Sequence, residues 1–183
     1  MKSLFKTVKP VVKEAARAEP NMTNSSPHSL ETPVEMARPN LDNWPVHPLP
    51  DGFSIRAYRS GDAAHWRAIH ERADPFNSFD DGSFASYFGT DEEVLRARQK
   101  FLVAPDGQII GTVTAWFDSP EVGRVHWVAI VPEYHGRGLA RPLLSVVGQT
   151  LQDLGHSRAV LSTSLERPIA IALYRKFGFE IVA

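Results

Sequence analysis

Two glycines at the entrance to a long amphipathic segment are the clearest chemical signal in this chain. Pro132-Glu133-Tyr134-His135-Gly136-Arg137-Gly138-Leu139-Ala140 leads into a stretch where Leu139, Leu143, Leu144, Val147, Leu151 and Leu154 recur at helical spacing, and Gly155 supplies a stop. Glycines at a helix entrance let backbone N–H groups approach a ligand closely, and the unpaired first-turn amides together with the helix dipole favour an anion there. Arg137 and Arg141 add positive charge, and Pro142 costs little because a first-turn N–H has no helical partner. A P-loop would end in Gly-Lys-Ser/Thr, where this chain has Gly138-Leu139-Ala140; a dinucleotide fingerprint would place a third small residue at 141, where Arg141 stands. Both are excluded. Taken alone, the segment fits either an anion cradle of another kind or a turn that only needs two glycines.

Other reactive constellations are thin. The absence of cysteine removes disulfide scaffolds, thiolate metal sites and cysteine nucleophiles together. His65 and His70 fall on one expected helix and His135 in the glycine loop, and no His/Asp/Glu set has metal-ligand spacing, so no metal is expected. Ser162-Thr163-Ser164 lacks a Gly-x-Ser-x-Gly elbow and reads as a strand end and helix cap. Asp80 and Asp81 lie in an aromatic loop with Tyr87, where two carboxylates can recognise a cationic amine or simply face solvent while Phe79, Phe84 and Phe88 reach the core. With 20 Lys+Arg against 21 Asp+Glu there is no global positive field to hold a nucleic acid. No apolar run approaches the roughly 18 to 20 residues of a membrane span. A soluble, cytoplasmic protein without nucleic-acid or membrane partners is expected.

The elements that must position the glycine loop can be read from periodicity. At 183 residues the chain is long enough for one compact domain. Residues 1–48 carry Pro10, Pro20, Pro27, Pro33, Pro39, Pro45 and Pro48 around a polar middle, which reads as a disordered or extended segment outside the domain. Its first part has Leu4, Val8 and Val11 or Val12 at helical spacing with lysines between, a pattern also found in surface-binding segments. From 49 onward alternation over 53–58 predicts a strand, and Trp66, Ile69 and Ala73 share a face of a helix over 63–73 that Asp74-Pro75 stops. A short helix over 91–99, strands over 101–104 and 108–117 joined by a turn at Pro105-Asp106-Gly107, and a strand over 124–131 follow. The remainder alternates helix 138–154, strand 159–164, helix 167–177 and strand 180–182. An antiparallel meander followed by a β-α-β-α-β run implies an α/β (α+β) domain with a mixed, mostly antiparallel sheet flanked by helices.

In this context the segment from Val128 to Ala140 resembles the acyl-CoA motif of the GNAT superfamily, Gln/Arg-x-x-Gly-x-Gly/Ala, with Gly138 and Ala140 matching and His135 where Gln or Arg is usual. Ala170-Ile171-Ala172-Leu173-Tyr174-Arg175-Lys176-Phe177-Gly178-Phe179 resembles the superfamily's Ala-x-x-Leu-Tyr-x-x-x-Gly-Phe helix, with Arg167 replacing an Asn often found three residues before it. The resemblance covers about 53–182. It implies a GNAT fold splayed between the fourth and fifth strands of the 49–183 domain, ending at 131 and beginning at 159, with the pantetheine of acetyl-CoA in the gap. Backbone groups of Val128, Ala129 and Ile130 would hold the pantetheine, and His135, Gly136, Arg137, Gly138, Leu139, Ala140 and Arg141 the pyrophosphate. The chain ends at Ala183, where family members usually continue into a seventh strand, so that strand is expected to be absent or supplied by another segment or subunit.

The resemblance also implies transfer of an acetyl group to a primary amine by direct attack in a ternary complex. The ammonium must lose a proton, and the leaving thiolate benefits from one. Tyr174 is the candidate acid, since the family's corresponding Tyr points at the CoA sulfur; otherwise it packs beside Ala170 and Phe177. His126 is the candidate base, and simple alternation along its strand puts it on the face of Arg124 and Val128; otherwise it is a strand histidine satisfied by a neighbour. The expected partner is a small-molecule or peptide amine, with a homodimer as a possible assembly. The alternative is a module that binds acyl-CoA with weak or no catalysis.

Overall fold

The computed structural model describes residues 31–182. In chain order the elements are strands β1 (Pro33–Arg38) and β2 (Ser54–Ala57), helices α1 (Asp62–Ala73), α2 (Ser83–Phe88) and α3 (Glu92–Arg98), and strands β3 (Gln99–Val103), β4 (Ile109–Phe117) and β5 (Val122–Ile130). A 3-10 turn at Pro132–Tyr134 leads to helix α4 (Ala140–Asp153), strand β6 (Arg158–Ser164), helix α5 (Pro168–Lys176) and strand β7 (Glu180–Val182). One seven-stranded sheet runs β2-β3-β4-β5-β6-β1-β7. Every neighbouring pair is antiparallel except β5 and β6. The expected mixed, mostly antiparallel sheet with flanking helices is therefore the observed one.

Strand alternation sorts the helices onto two faces. A side chain at Gly123 would run into Leu151 of α4, so that face of β5 belongs to α4. The next residues of opposite phase, Arg124 and His126, point to the other face, where Tyr87 and Phe88 of α2 pack on the His126 ring. Leu143, Leu144, Val147 and Leu151 of α4 are fully buried, as their helical spacing predicts. Trp66 and Ile69 of α1 do the same work on the opposite face.

The parallel pair comes apart early. β5 and β6 are registered through Val122↔Arg158, Gly123↔Ala159 and Arg124↔Val160 and no further, although β5 continues to Ile130 and β6 to Ser164. Because β1 adds a strand ahead of the 49–183 region, this splay lies between the fifth and sixth strands of the chain. It is the same pair of segments that the sequence singles out.

A β-bulge corrects the alternation expected around His126. Thr114 pairs with His126 but Thr112 pairs with Ala129, so Trp127 and Val128 together oppose Val113, and Trp127 takes a left-handed φ of 49°. Cross-strand partners share a face, so Ala129, not Val128, returns to the His126 side. A bulge depends on a partner strand and leaves no mark in the periodicity of β5 alone.

The largest correction concerns residues 33–48, expected to lie outside the domain. β1 is an interior strand, paired with β6 from Pro33↔Ser164 to Arg38↔Ala159 and with β7 from Glu35↔Val182 to Ala37↔Glu180. The sheet thus has its seventh strand, supplied from the N-terminal side. The chain then runs along α4: the Trp44 indole donates to the Leu144 carbonyl at 2.9 Å, Gln152 donates to the Leu41 carbonyl at 2.6 Å, and the His47 amide donates to Ser145 Oγ at 2.9 Å. The prolines mislead because Pro33 opens the strand and Pro39 follows it, positions where a missing N–H is harmless. Few apolar residues are needed by a strand that inserts between two partners; Met36, Leu41 and Trp44 carry the burial. The expectation for residues 1–30 falls outside the described residues.

Candidate active site

The glycine loop follows the end of β5 that has parted from β6 and leads into α4. Beyond Ile130 the chain makes its 3-10 turn, fixed from outside by an Arg72–Glu133 ion pair at 2.8 Å and by Tyr134 packed edge-on to Phe53. Gly136 and Gly138 both adopt left-handed φ, 75° and 76°, and a Cβ at either would meet no atom within 4 Å. The backbone there is one that L side chains rarely adopt, and the space in front of it is open. No side chain caps the N-terminus of α4, so its first-turn amides point unpaired toward that space. Arg141 is exposed with no ion-pair partner among the described residues. The arrangement has the open space, free amides and nearby positive charge that an anion cradle would need.

Other residues expected around this loop divide by what they can offer. His135 Nε2 sits 2.7 Å from the Ile130 carbonyl, so its ring ties the loop back onto the strand end. The Arg137 guanidinium lies over the Tyr134 ring at 4.6 Å and donates to the Glu133 carbonyl. Leu139 is buried, which leaves only its backbone available. Ala129 and Ile130 pair with Thr112 and Gly111 of β4, while on the β6 side the end of β5 has no strand partner. An extended ligand can pair with that edge.

His126 and Tyr174 project from elements that flank the gap, β5 and the helix that follows β6. No hydrogen bond joins the His126 ring or the Tyr174 hydroxyl to another described residue. His126 is enclosed by Tyr87, Phe88 and Trp127, and this burial, reinforced by the charges of Arg124 and His70, pushes its pKa down to about 3. Tyr174 is half-buried beside Phe179, and burial pushes its phenol up to about 12 against a small opposing pull from Arg167. Both groups are therefore neutral across the physiological range. Next to His126 lies a tight aromatic cluster in which Trp66 Nε1, His70 Nε2 and Trp127 Nε1 are buried without a partner.

Sequence reasoning missed a polar junction on the same side. Arg167, noted only as a departure from the usual Asn, donates from Nε to Glu31 at 2.9 Å and from Nη2 to Asp74 at 3.1 Å, and lies over the Phe76 ring at 5.2 Å. It joins Glu31, two residues ahead of β1, to the C-terminal end of α1 and the start of α5. Burial works against the Asp74 carboxylate, but hydrogen bonds from Asn77 and Phe76 and the nearby Arg167 cation outweigh it and hold its pKa below the usual range. The sequence separations of 136 and 93 residues explain why no local pattern revealed the junction. Asp80 and Asp81, weighed as amine receptors, have structural partners: Asp81 pairs with Arg67, and Asp80 accepts from Ser83 Oγ and the Gly82 amide at the start of α2. Ser162 is held between Glu35 and Arg124 and has no histidine partner.

Among the described residues no cluster of three or more His, Asp or Glu side chains is placed to hold a metal ion. None of their helices is long and apolar enough to cross a membrane.

Comparison with known proteins places this geometry. Mycothiol acetyltransferase of Salinispora tropica is 29% identical over 158 residues, 79% of this chain and 50% of that protein. The mycothiol acetyltransferase of Salinispora arenicola is 31% identical over 161 residues, again 79% of this chain and 50% of the relative. The chain thus spans about half the length of these curated relatives. Among solved structures, a GCN5-related N-acetyltransferase from Sphaerobacter thermophilus superposes with a TM-score of 0.68 at 25% identity, over 82% of this chain and 48% of that one. The ribosomal-protein-S18-alanine N-acetyltransferase of Escherichia coli shares the fold, with a TM-score of 0.61 at 23% identity over 72% of this chain and 79% of that one. The profile of the Acetyltransferase (GNAT) family matches residues 64–179, which include the glycine loop, the splayed strands and the Tyr174 helix, and the chain belongs to that family.

Proposed function

We propose that this chain transfers the acetyl group of acetyl-CoA to a primary amine by direct attack within a ternary complex. The observation that carries the reading is the open cradle of Gly136 and Gly138 before an uncapped helix, set at the end of two strands that have parted. The amides of Arg137, Gly138, Leu139 and Ala140 suit a pyrophosphate, with Arg141 supplying charge. The unpaired edge of β5 around Val128, Ala129 and Ile130 suits the amide groups of pantetheine, which would bring the thioester between His126 and Tyr174.

Within that frame the two candidate catalytic residues take roles set by their basicity. The Tyr174 phenol, with a pKa near 12, always carries its proton and can donate a hydrogen bond to sulfur. Its phenolate is a much stronger base than a thiolate near 8.5, so the interaction stabilises the leaving group without completing the proton transfer until solvent intervenes. His126, at about 3, is neutral and can accept a hydrogen bond from the attacking amine, but it cannot draw a proton from an ammonium near 10. The acceptor therefore reacts from its free-amine fraction.

The mycothiol acetyltransferase relatives make amines related to mycothiol the first acceptors to assay, alongside polyamines, aminoglycosides, amino acids and peptides. Release of CoA from acetyl-CoA across this panel tests the reading. Amine-dependent release supports it, and acetyl-CoA binding without release by any amine would reduce the chain to an acyl-CoA-binding module.

A further inference from the structure

Helix α5 carries Tyr174, yet the end of the helix that leads to it is not held by packing. Pro168 is exposed, Ile169 is 86% exposed and Leu165, just ahead of the helix, is 51% exposed; apolar burial begins only at Ile171. The tie from this end to α1 is Arg167. Its guanidinium donates from Nε to Glu31 Oε1 at 2.9 Å, from Nη2 to Glu31 Oε2 at 3.4 Å and from Nη2 to Asp74 Oδ1 at 3.1 Å, with the Phe76 ring beneath it. Both carboxylates are largely buried, with side-chain exposures of 15% for Glu31 and 6% for Asp74. A planar fork of this kind fixes direction as well as distance.

The two ends of that tie lead to the two sides of the gap. Tyr174 is about two helical turns beyond Arg167 and so lies on the same side of α5, where side chains lean back toward the helix N-terminus. The Arg167 charge is felt there, pulling the phenol's pKa down against the larger upward push of burial. On the other side, Asp74 ends α1, its amide donating to the His70 carbonyl at 2.8 Å. The His70 ring packs on Trp127 at 5.2 Å, and Trp127 in turn packs on His126 at 5.6 Å. One side chain thus links the helix of the candidate acid to the wall beside the candidate base.

We propose that Arg167 is a positioning residue for acetyl transfer, a strut between α1 and α5 that sets where Tyr174 stands relative to the thioester and the attacking amine. The inference rests on the acetyl-transfer reading above. Arg167 acts through Tyr174 rather than on the reacting atoms. The proposed cradle for acetyl-CoA is built on β5 and the start of α4, and the side-chain contacts of Arg167 involve neither, so losing the strut should disturb the chemistry and spare the binding. Lysine is a poor substitute, because a point charge on a flexible stem cannot hold two carboxylates in one geometry. Through Glu31, the residues just ahead of β1 take part in placing the Tyr174 helix.

The test reads three things in the full chain: turnover with an added amine, acetyl-CoA affinity by calorimetry, and the ring resonances of the four tyrosines in tyrosine-labelled protein, Tyr174 being assigned from Tyr174→Phe. Arg167→Gln should lower turnover roughly 10- to 100-fold, the scale of an ångström-sized misplacement, and shift the Tyr174 resonance while Tyr58 and Tyr134 keep theirs. Acetyl-CoA affinity should stay within about twofold, and in a Tyr174→Phe background the same substitution should cost no more than about twofold, because the group it positions is gone. Arg167→Lys keeps a cation beside the buried Asp74 carboxylate, so it should fold, with a smaller loss in the same direction; it is read in place of Arg167→Gln if that variant does not fold. An equal loss with and without the Tyr174 hydroxyl, or a Tyr174 resonance that does not move, overturns the inference. If the parent binds acetyl-CoA and no amine releases CoA, the acetyl-transfer reading fails and takes the inference with it; an active parent whose Tyr174 does not respond at residue 167 sinks the strut alone.

Discussion

If the acceptor amine lies beside His126 as proposed, the surroundings of this histidine still make it a poor base. Enclosure by Tyr87, Phe88 and Trp127 with the charges of Arg124 and His70 nearby leaves its pKa at about 3. The pH profile of kcat/KM should therefore rise through the acceptor amine's own pKa, with no limb between 6 and 7. A limb near 6.5 that disappears in His126→Ala would restore histidine as the base. Tyr174 calls for a different readout. Tyr174→Phe keeps the ring and removes the donor, so turnover should fall toward the low end of the roughly 10²- to 10⁴-fold range of acid catalysis while acetyl-CoA affinity holds. Unchanged single-turnover chemistry would return Tyr174 to a packing role. Burial of neutral histidine also couples folding to pH. His70, 1% exposed, has its pKa lowered to about 4, so below 6.5 the unfolded chain takes up a proton that the native chain refuses until about 4. Stability should thus be intact above pH 6.5 and fall as pH drops toward 4, by up to about 1.4 kcal/mol per pH unit for this residue. Urea denaturation at pH 7, 6 and 5 checks it, and His70→Phe should flatten the slope.

At the scale of elements, the N-terminal strand and the helix it runs beside carry the boldest stability predictions. Gly148 lies in the interior of α4, where alanine normally gains about 0.5–1 kcal/mol. Here a Cβ would lie 1.9 Å from Trp44 Cε2. Gly148→Ala should destabilise, and in a Trp44→Ala background the same change should become neutral or favourable; additive effects in that double-mutant cycle would show that the indole does not occupy the glycine's notch. Trp44→Ala alone should cost about 3–5 kcal/mol. Deleting residues 1–28 should leave the melting temperature and turnover on added amines nearly unchanged, whereas deleting 1–38 strips β6 and β7 of their shared partner and should abolish cooperative unfolding. This contrast also marks what was legible in the sequence. The glycine loop, the helix of Tyr174 and the meander were readable because each is specified by neighbours along the chain. The strand around Met36 was not, because its pairing is with residues near 160 and 181 and its own composition is poor in apolar residues. The bulge at Trp127 and the Arg167 junction were hidden for the same reason, since both arise only when distant segments meet.

Across the whole molecule, the functional reading rests on one coincidence: strands that part after Arg124 and Val160, and an open glycine loop that follows the free end of β5 and is proposed to cradle an anion. The GNAT assignment establishes the family, while the curated mycothiol acetyltransferases are about twice the length this chain spans, so the acceptor must be found by assay rather than inherited. Acetyl-CoA binding at the cradle is the central claim. It is tested most directly by calorimetry on Gly138→Glu, with Gly155→Glu as the control. Gly155 has the same kind of left-handed φ, 84°, and the same open surroundings, but follows the far end of α4, roughly 21 Å of helix away. Gly138→Glu should lose acetyl-CoA affinity by at least about 100-fold, because it places a side chain and a negative charge where the pyrophosphate would lie, while Gly155→Glu binds like the parent. Equal affinity in the parent and in folded Gly138→Glu would contradict the account.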